Sequence, residues 1–118
     1  MTITERRKHP RTKVDNTVSY TCIDDSGNKI ADGMGRVIDI SEGGILIETH
    51  NPIETQDILL TSLDVKDDSI SIKGKVLYYI TCDFEKFHTR IQFFETKEKI
   101  LSFTTNMIKA YIKLTGIT

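Results

Sequence analysis

For most of the chain's length, apolar side chains recur at every second position in short runs broken by turn residues. Thr17 to Ile23 sets Val18, Tyr20 and Cys22 against Thr17, Ser19 and Thr21, which is the period of a strand with one covered face. Asp24-Asp25-Ser26-Gly27-Asn28 then supplies a turn. Lys29 to Ile40 reads as a second strand, with a bulge or bend expected at Gly33 and Gly35. Ser41-Glu42-Gly43-Gly44 is a further turn, leading into Ile45 to Thr49 and then a short strand around Asp57 to Leu60. A long hairpin follows, Ser69 to Thr81 and Phe87 to Phe94, across the loop Cys82 to Lys86. Short strands at close spacing with no helix between them predict an antiparallel barrel or sandwich.

The period changes only in the tail. Ile100, Phe103, Met107, Ala110, Tyr111 and Leu114 recur at intervals suited to an amphipathic helix from Lys97 to Leu114, closed by Gly116, with Glu98 favourably placed in its first turn. The expected organisation is an arm over residues 1–15, a barrel over 16–95 and a helix over 96–115, all one domain, as 118 residues allow. The stripe Ile100, Phe103, Met107, Ala110, Leu114 has two readings. It packs on the open end of the barrel, or it leaves a surface for a homodimer or a partner.

Charge is unevenly spread. Arg6, Arg7, Lys8, Arg11 and Lys13 stand against Glu5 alone, so the first 13 residues carry +4; with the chain at −1, the rest carries −5. A cationic arm on an acidic body predicts a local anion site rather than a broad polyanion surface. A single-stranded nucleic-acid binder would interleave exposed aromatics with spread basic residues, and this distribution argues against one. Cys22 and Cys82 have no metal spacing and read as two strand thiols in a reducing compartment, with a disulfide left open. His9, His50 and His88 also lack metal spacing, and no nucleophile–base arrangement or phosphate-cradling glycine motif stands out. No enzyme, cofactor or metal site is therefore expected. No apolar run approaches a membrane span or a secretory signal, so the expected location is cytoplasmic.

Two short segments carry chemistry. In the arm, Pro10 disfavours helix at His9, leaving Arg6, Arg7 and Arg11 on extended chain. Arginine suits bidentate recognition of phosphate and of the guanine O6/N7 edge. In the turn, Asp39 offers acceptors for a guanine N1–H and N2–H₂ edge, and Ser41 a hydroxyl. Gly43 and Gly44 would permit positive φ and close ligand approach. Each segment also has a plain structural reading, a solvated tail and an ordinary hairpin turn.

Taken together, Arg7-x-x-x-Arg11 and Asp39-x-Ser41-x-x-Gly44, 28 positions apart from Arg11 to Asp39, resemble the two signature elements of the PilZ domain family. The resemblance covers nearly the whole chain. It implies a mainly β fold, a six-stranded antiparallel barrel with a C-terminal helix, and a receptor that clamps c-di-GMP under the arm. It further implies that Arg7 and Arg11 meet the phosphates and guanines, and that Asp39, Ser41, Gly43 and Gly44 hold a guanine. Arg6, immediately before the first motif arginine, implies two intercalated ligand molecules per protomer. His9 is a further candidate for stacking on a guanine. Arg90 departs from the family pattern, standing where many relatives have glycine; it is either an additional cation near the ligand or a solvent-facing strand residue. The implied role is regulation of an unknown partner protein. The competing readings are an adaptor that does not use c-di-GMP and a nucleic-acid-binding small barrel.

Overall fold

In the computed structural model, residues 12–62, 69–83 and 85–115 are described, with side chains over 16–62, 69–83 and 85–108. Six strands are present: β1 (Thr12–Ile23), β2 (Lys29–Ile40), β3 (Gly44–Thr49), β4 (Asp57–Ser62), β5 (Ser71–Cys82) and β6 (Lys86–Phe93). They close into a barrel in the order β1-β2-β3-β6-β5-β4, every neighbouring pair antiparallel. One helix, α1 (Lys97–Thr115), follows. No helix among the described residues is long and apolar enough to cross a membrane.

Strand alternation decides what fills the barrel. Val18, Tyr20 and Cys22 point inward from β1, Ile45 and Ile47 from β3, Ile58 and Leu60 from β4, and Ile91 and Phe93 from β6. Both cysteines are free, Cys22 in the core and Cys82 half-buried. Burial is the main reason the Cys22 thiol has a raised pKa.

α1 closes one end of this core. Thr96 caps it, its hydroxyl accepting from Lys99 N at 3.3 Å. Phe103 is fully buried and meets Phe93 edge to face at 5.7 Å between ring centroids. Asn16 Nδ2 donates to the Met107 carbonyl at 3.1 Å, tying the helix to β1. The described part of the apolar stripe therefore packs on the barrel: Phe103 and Met107 are buried and Ile100 is partly so. Ala110, Leu114 and the expected stop at Gly116 lie outside the described side chains or residues.

Gly33 and Gly35 are not bulges. Their pairing with Tyr20 and Val18 is regular. A Cβ on Gly33 would lie 2.7 Å from the Tyr20 hydroxyl, so this glycine leaves room for a ring laid across it. The register shifts of the β2–β3 and β5–β6 ladders fall elsewhere, between Val37 and Asp39 and between Val76 and Tyr78. Strand β1 begins at Thr12, ahead of the expected barrel boundary at residue 16.

Candidate functional site

The two shifts build the site. Along β2, Val37 pairs with inward Ile47; strict alternation would turn Ile38 out, Asp39 in and Ile40 out. Instead Ile38 is the extra residue, Asp39 pairs with outward Leu46, and Ile40 turns inward, 1% exposed. On β5, Leu77 plays the same part: Val76 pairs with inward Ile91, and Tyr78 then pairs with outward Arg90. Two bulges thus set one row of side chains, Asp39, Leu46, Arg90 and Tyr78, across the outer faces of β2, β3, β6 and β5.

The row is held by ions. Arg90 Nη1 donates to Asp39 Oδ1 at 2.9 Å and Nη2 to Oδ2 at 3.4 Å. Burial disfavours the charged guanidinium, but hydrogen bonds to Asp39 and then Tyr78 outweigh it, leaving the pKa above the ordinary arginine value. Arg90 is only 8% exposed, and its Nε is buried without a hydrogen-bond partner among the described residues. It is not the solvent-facing strand arginine of the plain reading, because the carboxylate it needs sits two strands away at the same level. One row further along, Glu48 accepts from His88 Nε2 at 2.9 Å and from Arg36 Nε at 3.3 Å.

The turn that follows Asp39 is tightly self-bonded. Ser41 N donates to the Gly44 carbonyl at 2.9 Å, and Gly43 N donates to Ser41 Oγ at 3.1 Å. The Gly43 carbonyl accepts from Phe93 N at 3.0 Å. Neither Gly43 nor Gly44 has positive φ; among the described glycines only Gly27 does. Gly44 is required for another reason: a Cβ there would lie 2.3 Å from the Ile91 carbonyl oxygen, where β3 starts against β6. The Ser41 oxygen is an acceptor in the turn, while its O–H remains a donor.

Asp39, Ser41, Gly43, Gly44 and Arg90 are therefore brought to one end of the outer face. Arg6, Arg7, His9 and Arg11 lie outside the described residues. Their point of attachment does not: β1 pairs Thr12 with Ile40 and Lys13 with Asp39, so the chain carrying them joins the barrel on the rung beside the turn. Sequence reasoning missed Tyr78 and the bulges that present it. Two adjacent aromatics in an otherwise alternating strand, Tyr78-Tyr79, were the available signal. Among the described residues no group of His, Cys, Asp or Glu side chains could hold a metal ion.

A closed six-stranded antiparallel barrel ending in a plugging helix, with an Asp-x-Ser-x-x-Gly hairpin beside the start of its first strand, is a small closed barrel rather than a β-sandwich. The PilZ domain model matches residues 5–105, and the chain belongs to that family. Solved structures share the fold. The inhibitor of motility MotI/DgrA from Bacillus subtilis superposes with TM-score 0.64 at 15% identity over 93% of this chain and 53% of its own. K. pneumonia MrkH in complex with c-di-GMP gives 0.62 at 17% identity over 92% and 55%. The PilZ domain of YcgR from Escherichia coli, with c-di-GMP, gives 0.62 at 10% identity over 97% and 100%. The chain thus spans about half the length of MotI and MrkH. No match was found among curated proteins.

Proposed function

We propose that this chain is a c-di-GMP receptor module, without catalytic activity of its own, that acts in the cytoplasm by changing its surface for a partner protein. The observation that supports the reading is the pairing of Thr12 with Ile40 and of Lys13 with Asp39, which brings the start of β1, next in sequence after Arg11, beside the Asp39-x-Ser41-x-x-Gly44 hairpin. MrkH and the YcgR PilZ domain, which share the fold, are described with this ligand. In the proposed complex Arg7 and Arg11 bind phosphates and guanine edges, His9 stacks, and Ser41 donates its O–H. A carboxylate has about four acceptor positions. Arg90 takes two of those on Asp39, leaving two for a guanine N1–H and N2–H₂. Arg6 supplies a further guanidinium for a second, intercalated c-di-GMP molecule.

Titration calorimetry with c-di-GMP, c-di-AMP and an oligonucleotide tests this. Wild type should bind c-di-GMP alone, at two molecules per protomer, with Arg6→Leu moving the ratio toward one. Arg7→Ala and Arg11→Ala should each cost about 1.5–3 kcal/mol, roughly ten- to a hundredfold in affinity, with the circular dichroism unchanged. Absence of c-di-GMP binding by wild type would sink the proposal.

One observation favours the adaptor reading instead. Asp39, Ser41 and Gly44 each already have a structural task, in an ion pair, a turn bond and a close strand contact. On that reading the motif preserves the hairpin, and wild type binds none of the three probes.

A further inference from the structure

Asp39 stands at a loosened point of β2. Both ladders of that strand slip between Val37 and Asp39: against β3 one residue, Ile38, is left over, and against β1 the pairing jumps from Lys13 to Asn16. The terminal torsion of an aspartate is broad, so backbone pairing alone leaves the plane of its carboxylate free. Arg90 is the opposite case. β6 is laddered on both sides at this residue, to Leu46 of β3 and to Tyr78 of β5. Its guanidinium is held from two directions, by the Asp39 carboxylate and by Tyr78. A planar fork fixed in this way passes its orientation to the carboxylate that it grips with two bonds, at 2.9 and 3.4 Å. The Asp39 side chain still keeps 13% of its surface exposed, beside the turn whose Ser41 O–H remains a donor. Each Asp39 oxygen bonds one guanidinium nitrogen and retains acceptor capacity, in a plane that Arg90 has set.

We infer that Arg90 is a positioning residue for base recognition: its two-pronged grip on Asp39 sets the selectivity of the site for guanine over a purine that lacks the N2 amine. The inference rests on the c-di-GMP reading above. Guanine offers N1–H and N2–H₂ side by side, and a carboxylate held in the plane of the base accepts from both. A carboxylate free to turn meets one donor at a time. It then distinguishes guanine poorly from hypoxanthine, which keeps N1–H and O6 but has no amine. Arg90 acts through Asp39 and does not itself touch the base. Lysine is no substitute, because an ammonium is a point charge on a flexible stem and has no second prong to fix a plane.

Calorimetry of the full chain with c-di-GMP and with cyclic di-inosine monophosphate gives the selectivity as a ratio of affinities, which a general loss of folded protein leaves unchanged. Wild type should prefer c-di-GMP by roughly ten- to a hundredfold, the worth of one hydrogen bond to a charged group. Asp39→Asn should bring the ratio close to one. Arg90→Lys, which keeps a cation beside Asp39 and so keeps the fold by circular dichroism, should lose most of the preference; Arg90→Met should lose the rest. Placed in the Asp39→Asn protein, Arg90→Lys should leave the c-di-GMP affinity where it was. A wild-type ratio in Arg90→Lys overturns the inference. So does tighter c-di-GMP binding by Arg90→Met, which would make the guanidinium a competitor of guanine for Asp39. A further loss of affinity in the double variant also overturns it, by placing Arg90 on the ligand itself. Wild type that binds both ligands equally defeats this inference alone, whereas wild type that binds neither defeats the c-di-GMP reading with it.

Discussion

Arg90 and Asp39 show how much a single position can hinge on a partner far away in sequence. A guanidinium this deeply buried persists because the carboxylate meets it with two bonds. Arg90→Met should therefore destabilise the fold by about 2–4 kcal/mol, less than or equal to the usual cost of stranding a buried charge. Asp39→Asn/Arg90→Met should cost less than the two single changes added together. A coupling of about 1–3 kcal/mol in a urea double-mutant cycle is expected, and strict additivity would disprove the pairing. Glu48 gives the pH dependence at this scale. The hydrogen bond from His88 chiefly lowers its pKa; burial works the other way, and Arg36 adds to the lowering. A carboxylate depressed in the folded state stabilises the protein fully above its unfolded value, about 4.3, and that stabilisation is lost as pH falls through the lower folded value. Glu48→Gln should accordingly flatten the decline of the urea midpoint on acidification below about pH 4.5. An unchanged decline would place the acid sensitivity elsewhere.

Elements were legible where burial alone sets the pattern. The bounds of β2, the long β5–β6 hairpin and the start of α1 follow from the switch between two-residue and helical periods. What stayed hidden depends on neighbours. The bulges at Ile38 and Leu77 fall on β-branched and leucine residues that look like ordinary strand, while the glycines that resemble bulges make room for Tyr20 and for the Ile47 and Thr49 side chains. Within the site, the Asp39 turn was legible as a hairpin. The engagement of its carboxylate by Arg90, 51 residues away, was not, because no local pattern distinguishes a paired arginine from a solvated one. The helix stripe had two sequence readings, and the contacts of Phe103 and Met107 settle the described part of it. Met107→Ala should cost about 2–5 kcal/mol of unfolding free energy, because the barrel end cannot collapse to fill the space. A loss under about 1 kcal/mol would mean the helix is dispensable to the core.

Across the whole molecule, the charge division between residues 1–13 and the rest gives a salt dependence. If the arm contributes mainly through ion contacts with phosphates, c-di-GMP affinity should fall steadily as salt rises to about 0.5 M, where screening acts within roughly 4–5 Å. The Asp39–Arg90 pair, shielded from solvent, should keep its coupling over the same range; equal salt sensitivity of both would contradict the burial described for Arg90. The rung that joins Thr12 to Ile40 also has a kinetic consequence. Arg11 is one covalent step from that rung, so an arginine seeking a ligand already seated at the turn does so within one chain. Its local concentration there is on the order of millimolar however dilute the protein. In the proposed complex, ligand arrival would then be set by diffusion to the turn, and departure by how often the arm lets go. Arm substitutions should shorten residence time and leave the arrival rate nearly unchanged.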